Sequence, residues 1–245
     1  MLVLSRDDVR VALDLDRLVD VLGDAMADLS AGRASMPPRG RATVPQREGM
    51  LFAMPAFLPS GGVLTTKLVS LFPLNTDRPT HQAVICCFDP ADGRTLAVMD
   101  GTYITAMRTG AGSALATRLL ARDGARTVCV IGTGLQAHAH VALLERHPGL
   151  DRIRVAGRDA TRVARLVDEF AEVGPGPHVE AAPSIEEGVR SADIVCAATH
   201  SDRPVVRRHW LRRGPISTWL VGMSREKARW TSRRSAKVWL WWSRE

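Results

Sequence analysis

The apolar positions of the chain change their period along its length, and each change marks a different kind of element. Leu15, Leu18, Val19, Leu22, Met26 and Leu29 recur at three- and four-residue intervals, which predicts an amphipathic helix of about four turns. Asp14 stands where that helix needs a cap and Gly32 where it stops. Ser5, with Asp8 three positions later, reads as the cap of a shorter helical turn upstream. Residues 36–60 are dense in Pro and Gly. The pattern then shortens to runs of β character at Met50–Met54, Val63–Phe72, Ala83–Phe88 and Thr95–Met99, with Asp89-Pro-Ala-Asp-Gly93 as the turn between the last two. The first hundred residues therefore predict a helix followed by an antiparallel meander.

From Ile104 to Ala121 the period is helical again, with many small residues. Beyond it, strands and helices alternate. Apolar strands are expected at Thr127–Ile131, Ile153–Ala156, Val179–Ala182 and Ile194–Ala198. Helices are expected after the glycines at 132 and 134, at Ala160–Val173 and at Ser184–Ser191. This alternation predicts a parallel, doubly wound sheet, so the fold class is α/β in two parts.

Gly132-Thr-Gly134-Leu-Gln136-Ala137 follows the strand TVCVI and opens a helix. That is a G-x-G-x-x-A dinucleotide motif in its required context. The first glycine permits the tight turn, the second lets the backbone approach a pyrophosphate, and the alanine lets helix and strand pack closely. The helix N-terminus adds free N–H groups and partial positive charge. The second strand ends at Gly157-Arg158-Asp159. An acid here suits the ribose hydroxyl of NAD and an arginine the 2′-phosphate of NADP. With Arg158 first, the pair leans toward NADP without excluding NAD. Thr199 and His200 follow the fourth strand, whose carboxyl end faces the ligand crevice. Thr199 is a candidate contact on the nicotinamide side, while His200 reads more simply as an exposed loop histidine.

Composition adds exclusions. No stretch approaches the ~18 apolar residues of a membrane helix, and the first ten residues carry acids where a signal peptide needs an apolar core. Cys86, Cys87, Cys129 and Cys196 sit in apolar runs with no CxxC spacing. They read as buried free thiols in a reducing cytoplasm rather than disulfides or metal ligands. The net charge of +7 suggests a nucleic-acid partner, but its distribution does not. Residues 215–245 hold seven Lys/Arg and two Asp/Glu, which leaves 26 and 24 in residues 1–214. The basic excess, like five of the six tryptophans, belongs to the tail.

Five segments in order, Met36-Pro-Pro-Arg39, Lys67-Leu-Val-Ser-Leu-Phe-Pro-Leu-Asn75, Leu96-Ala-Val-Met-Asp-Gly101, Ile104-Thr-Ala-Met-Arg-Thr109 and Gly132–Ala137, together resemble the ornithine cyclodeaminase/mu-crystallin family. The resemblance covers about residues 1–214. It implies a mostly antiparallel substrate and dimerisation domain at 1–110 and a Rossmann NAD(P)-binding domain at 111–214. It also implies a homodimer acting on a small amino or imino acid, with no nucleic-acid or membrane partner. Members include ornithine cyclodeaminases, alanine dehydrogenases and ketimine reductases, and the resemblance favours the cyclodeaminase reaction, ornithine to proline plus ammonia. By the same resemblance Arg39 and Lys67 match contacts to the substrate carboxylate. Arg108 matches a basic residue between substrate and cofactor, Thr80 a polar contact near the cofactor, and Gln136 and Ala137 the dinucleotide turn. The chemistry agrees, because a planar arginine holds a carboxylate bidentately. A lysine in the otherwise apolar run VLTTKLVSLFP needs an anion or a solvent-facing position.

The tail departs from the family pattern. Tryptophan has a single codon, so residues 215–245 can be back-translated with few choices. Shifting the frame near Gly214 permits Thr-His-Ile-Asn-Leu-Val-Gly-Gly-Asp at family spacing and an apolar strand in place of Val238–Ser243. On this reading residues 215–245 are out of frame and the Rossmann sheet is incomplete. The aspartate that the family places in proton transfer then falls within the altered segment.

Overall fold

The computed structural model describes residues 1–171, 176–199, 201 and 204–211, and the backbone of 216–219 and 237–239. It forms two compact units, Met1–Arg108 and Thr109–Ser243.

The first unit is built on a six-stranded sheet in the order β1-β6-β5-β4-β3-β2. Its strands are β1 (Leu2–Leu4), β2 (Gly40–Val44), β3 (Gly49–Leu58), β4 (Val63–Leu71), β5 (His81–Phe88) and β6 (Thr95–Asp100). Strands β2 to β6 form the expected antiparallel meander. At one edge β1 adds in parallel, pairing Leu2–Leu4 with Ala97–Met99. Neither β1 nor β2 shows in the sequence pattern. Three residues are too few to carry a period, and β2 lies in the Pro/Gly-rich stretch, where pairing with β3 makes the strand. Helices α1 (Arg6–Ala12) and α2 (Leu15–Ser30) begin at their predicted caps. Ser5 and Asp8 form a reciprocal capping box, and Asp14 Oδ1 accepts the amides of Asp16 and Arg17. Gly32 leaves the helix at φ +69°. Asp28 is buried but fully engaged, accepting the Ser60 amide at 2.9 Å and pairing with Arg33. These bonds hold its carboxyl below the usual carboxylate range, the Ser60 amide contributing most.

The register of this sheet positions the site. Met54, Lys67, Ile85 and Met99 stand opposite one another on β3, β4, β5 and β6. Directly opposed residues share a face. Helix α3 (Gly101–Leu120) starts over that face: a Cβ on Gly101 would lie 3.1 Å from the Ala83 carbonyl carbon and from Ile85 Cγ1. The other face carries Val44, Leu51 and Val84, each 41–46% exposed.

The second unit holds a six-stranded, all-parallel sheet in the order β9-β8-β7-β10-β11-β12. Its strands are β7 (Thr127–Ile131), β8 (Arg152–Ala156), β9 (His178–Ala181), β10 (Ile194–Ala197), β11 (Ile216–Trp219) and β12 (Lys237–Trp239). Numbered along the chain, this is the 3-2-1-4-5-6 order of dinucleotide-binding sheets. Val128 to Ile131 and Ile194 to Ala197 are at most 1% exposed. Strands covered on both faces carry continuous apolar runs, which is why β7 and β10 are the clearest strands in the sequence. Helices α4 (Leu135–Leu144), α5 (Ala160–Asp168) and α6 (Ile185–Ser191) alternate with them, α5 ending earlier than its pattern predicts. Where an incomplete sheet ending with the fourth strand is expected, the backbone of β11 and β12 continues it. The rest of the tail reading, and His200, lie outside the described residues. No helix among the described residues is long and apolar enough to cross a membrane.

Candidate functional site

In the first unit the sheet register gathers cations. Gly40 pairs with Ala53, so the preceding Arg39 comes level with Met54 and joins the row that contains Lys67. Arg108 lies two turns into α3, the helix that starts over this face. Lys67 is half-buried among Met54, Ile85 and Met99. Burial pushes its ammonium down to about 7, and the Arg108 and Arg39 guanidinium groups push the same way. Arg108 falls to about 10, through burial first and then Arg39. Arg39 and Lys67, which the resemblance assigns to the substrate carboxylate, and Arg108, which it sets between substrate and cofactor, are thus brought within electrostatic reach of one another. A carboxylate entering this cluster relieves the repulsion between the cations and replaces lost hydration. Thr80 stands apart from this row, just before β5, with its hydroxyl 3.1 Å from His81 Nδ1 and its carbonyl accepting the Phe72 amide.

In the second unit β7 runs directly into Gly132, which adopts φ +129°. A Cβ there would stand 2.6 Å from the Ala198 carbonyl oxygen and 3.3 Å from Thr199 Cβ. Backbone conformation and space both demand glycine at this position. Gly134 differs: it caps α4 at φ −96°, and a Cβ would meet nothing within 4 Å. Its lack of a side chain leaves open space in front of the helix. Ala137 is completely buried. No side chain caps α4, and His138 is its first residue whose N–H reaches a backbone carbonyl, that of Gly134 at 3.0 Å. The amides of Leu135, Gln136 and Ala137 therefore form an anion-attracting first turn. Gln136 Oε1 is buried and accepts no hydrogen bond among the described residues.

Thr199, beyond the end of β10, stands beside Gly132. These two positions mark where the strand order reverses, the place where such sheets bind ligands. At the end of β8, Arg158 is exposed. Asp159 instead caps α5, its Oδ1 accepting the Arg162 amide at 3.1 Å and its Oδ2 lying 3.4 Å from Arg162 Nε. Cys129 and Cys196 are buried free thiols, pushed up to about 12 by burial, which makes them poor nucleophiles. Among the described residues no group of His, Cys, Asp and Glu could hold a metal ion.

The sequence pattern does not single out Gly110, Ser113 or His140. The available signal was a polar residue inside the apolar run of α4, four positions after Gln136.

A Rossmann-type sheet with a glycine turn at its reversal point, in a chain that also carries a separate, mostly antiparallel sheet, defines an NAD(P)-binding class of protein. The chain belongs to the ornithine cyclodeaminase/mu-crystallin family, whose model matches residues 1–229. It is 35% identical over 202 residues to the ketimine reductase mu-crystallin of Mus musculus, across 80% of this chain and 63% of that protein. The chain thus spans less than two thirds of that relative's length. Its fold matches the structure of Thermococcus litoralis Delta(1)-pyrroline-2-carboxylate reductase in complex with NADH and L-proline at a TM-score of 0.82. Identity there is 31%, covering 90% of this chain and 69% of the other. An archaeal alanine dehydrogenase dimer with bound NAD matches at a TM-score of 0.81 and 29% identity, covering 89% and 66%. Family members carry out NAD(P)-dependent reductase or deaminase chemistry.

Proposed function

We propose that this chain carries the NAD(P)-binding and carboxylate-binding elements of an imino-acid reductase, which interconverts an α-amino acid and its imine. The observation that carries the reading is the grouping of Lys67 with Arg39 and Arg108. A cluster of positive charge favours a carboxylate and disfavours a second ammonium, so an imine with one carboxylate suits it better than a diamine such as ornithine. Arg39 and Arg108 hold the carboxylate, and Lys67, titrating near neutrality, donates the proton that the imine nitrogen takes up on reduction. When bound, the nicotinamide ring supplies the hydride. The Gly132–Ala137 turn holds the pyrophosphate, supported by the open space at Gly134 and by the uncapped amides of the first turn of α4. Thr199, beside Gly132, lines the cofactor in this reading. Exposed Arg158, with Asp159 committed to α5, favours the 2′-phosphate of NADP over NAD.

Two measurements test this. Titrating NADPH and NADH should show NADPH binding more tightly. Gly134→Asp should cut the affinity for either by about a hundredfold, because it sets a carboxylate where phosphate approaches, while leaving the melting temperature unchanged. With a cyclic or linear α-imino acid, net oxidation of NAD(P)H supports the reductase. Ornithine converted to proline with no net change in cofactor would instead establish the cyclodeaminase reaction, and binding without any turnover a non-catalytic role.

The dimeric assembly of the archaeal alanine dehydrogenase extends to this chain in our reading. The apolar face of Val44, Leu51 and Val84 opposite Lys67 supports it, and four free thiols suit the cytoplasm. Val84→Arg is expected to convert a dimer to a monomer in light scattering. A monomeric wild-type chain would refute the assignment.

A further inference from the structure

Helices α3 and α4 meet backbone to backbone. A Cβ on Gly110 would stand 2.5 Å from the Ala139 carbonyl oxygen and 3.2 Å from the His140 amide nitrogen. Only glycine permits that approach, and it brings Ser113, nearly one turn further along α3, level with His140. Both side chains are completely buried. Ser113 Oγ lies 2.9 Å from His140 Nε2, and His140 Nδ1 lies 2.6 Å from the backbone carbonyl oxygen of Gln136.

Those partners fix the protons. A carbonyl oxygen only accepts, so Nδ1 carries hydrogen and donates to it. Burial holds the imidazolium below its ordinary range, so the ring is neutral and Nε2 is an acceptor. The Ser113 hydroxyl must therefore donate to Nε2. Ser113 gives to His140, and His140 gives to Gln136. The Gln136 carbonyl belongs to the same peptide group as the Ala137 N–H. A donor on the carbonyl draws electron density toward oxygen and leaves that N–H more positive. Ala137 is in the first turn of α4, whose amides face outward from the helix start.

We propose that Ser113 and His140 act as a positioning relay that aligns and polarises the Gln136–Ala137 peptide toward the pyrophosphate of the dinucleotide. A leucine at 140 with an alanine at 113 would fill much the same buried volume without desolvating two polar side chains. A packing role alone therefore leaves the histidine, its proton arrangement and its chosen carbonyl unexplained. The proposal rests on reading Gly132–Ala137 as the nucleotide turn, and its test separates the two.

NADPH is titrated against the 245-residue chain and its variants, with urea unfolding and the Ala137 amide proton shift recorded alongside. His140→Leu, which fills the space without a donor, should weaken binding about tenfold and move the Ala137 amide proton upfield. Ser113→Ala should do the same to a smaller extent, about threefold. His140→Asn, whose side-chain N–H substitutes for Nδ1, should hold affinity within about twofold of the wild type. If His140→Leu does not fold, Ser113→Ala and the amide shift decide. Wild-type affinity in His140→Leu, or in Ser113→Ala with an unmoved Ala137 proton, overturns the relay if Gly134→Asp still cuts binding about a hundredfold. A Gly134→Asp variant that binds normally overturns both the relay and the nucleotide turn.

Discussion

Replacing Lys67 by methionine is expected to raise the melting temperature of the ligand-free protein at pH 6 while weakening its affinity for pyruvate, the simplest α-keto carboxylate, which Arg39 and Arg108 still hold. The folded-state value near 7 lies well below the ordinary 10.5 of a lysine, because of burial and then the two neighbouring guanidinium groups. Between those values the unfolded chain binds the extra proton. The cost to stability is therefore fully present below about pH 7 and disappears as pH rises through 10.5. Allowing for solvent reaching the half-buried side chain, the cost at pH 6 is on the order of 3 kcal/mol. Methionine packs in similar space among Met54 and Ile85 and carries no charge to desolvate. Ligand binding runs the other way. A carboxylate beside Lys67 raises its pKa, so complex formation takes up a proton above pH 7. Wild-type affinity for pyruvate should fall by up to about tenfold per pH unit above 7, and Lys67→Met should show no such slope. A variant that melts lower than the wild type at pH 6, or binds pyruvate equally well, would contradict the site.

The second large effect is expected at Gly132→Ala. The substitution forces a side chain into φ +129° and sets a Cβ 2.6 Å from the Ala198 carbonyl oxygen. Strain of this kind costs about 1–3 kcal/mol, and the clash is with backbone at the end of a buried strand, which has no rotamer to change. A loss of about 3 kcal/mol or more in urea unfolding is expected, together with loss of NADPH binding, because the turn must open to accommodate the methyl group. Gly134→Ala is the control. Its φ of −96° and open surroundings predict a stability change within about 0.5 kcal/mol. Equal destabilisation by the two alanines would show that the turn is not built as described.

The contrast between these glycines shows what a motif conveys. The G-x-G-x-x-A spacing gives Gly132 the tight turn and Gly134 the approach to a phosphate, but not that a Cβ at 132 would meet the Ala198 carbonyl oxygen while one at 134 would meet nothing within 4 Å. Lys67 is similar. In sequence the run VLTTKLVSLFP left it equally compatible with solvent and with an anion site. Only the pairing of β4 between β3 and β5 places it in a row with Met54 and Ile85 and within reach of Arg108, 41 positions later in the chain.

What the chain determined by itself was local. The caps at Ser5 and Asp14, the turn at Gly93, the apolar strands β7 and β10 and the glycine turn between strand and helix each depend on residues within a few positions. The hydrogen bonds of the caps and the backbone angles of the turns close over short stretches, and the two strands announce themselves by unbroken apolar runs, although their pairing is long-range. The tertiary structure alone decided the rest. It added β1 and β2, too short or too irregular to stand without a neighbouring strand. It gathered three cations from β4, α3 and the approach to β2, and it set Ser113 against His140 across a glycine contact. Those features arise from register and close approach between segments far apart in sequence, and no local period of apolar and polar residues encodes them.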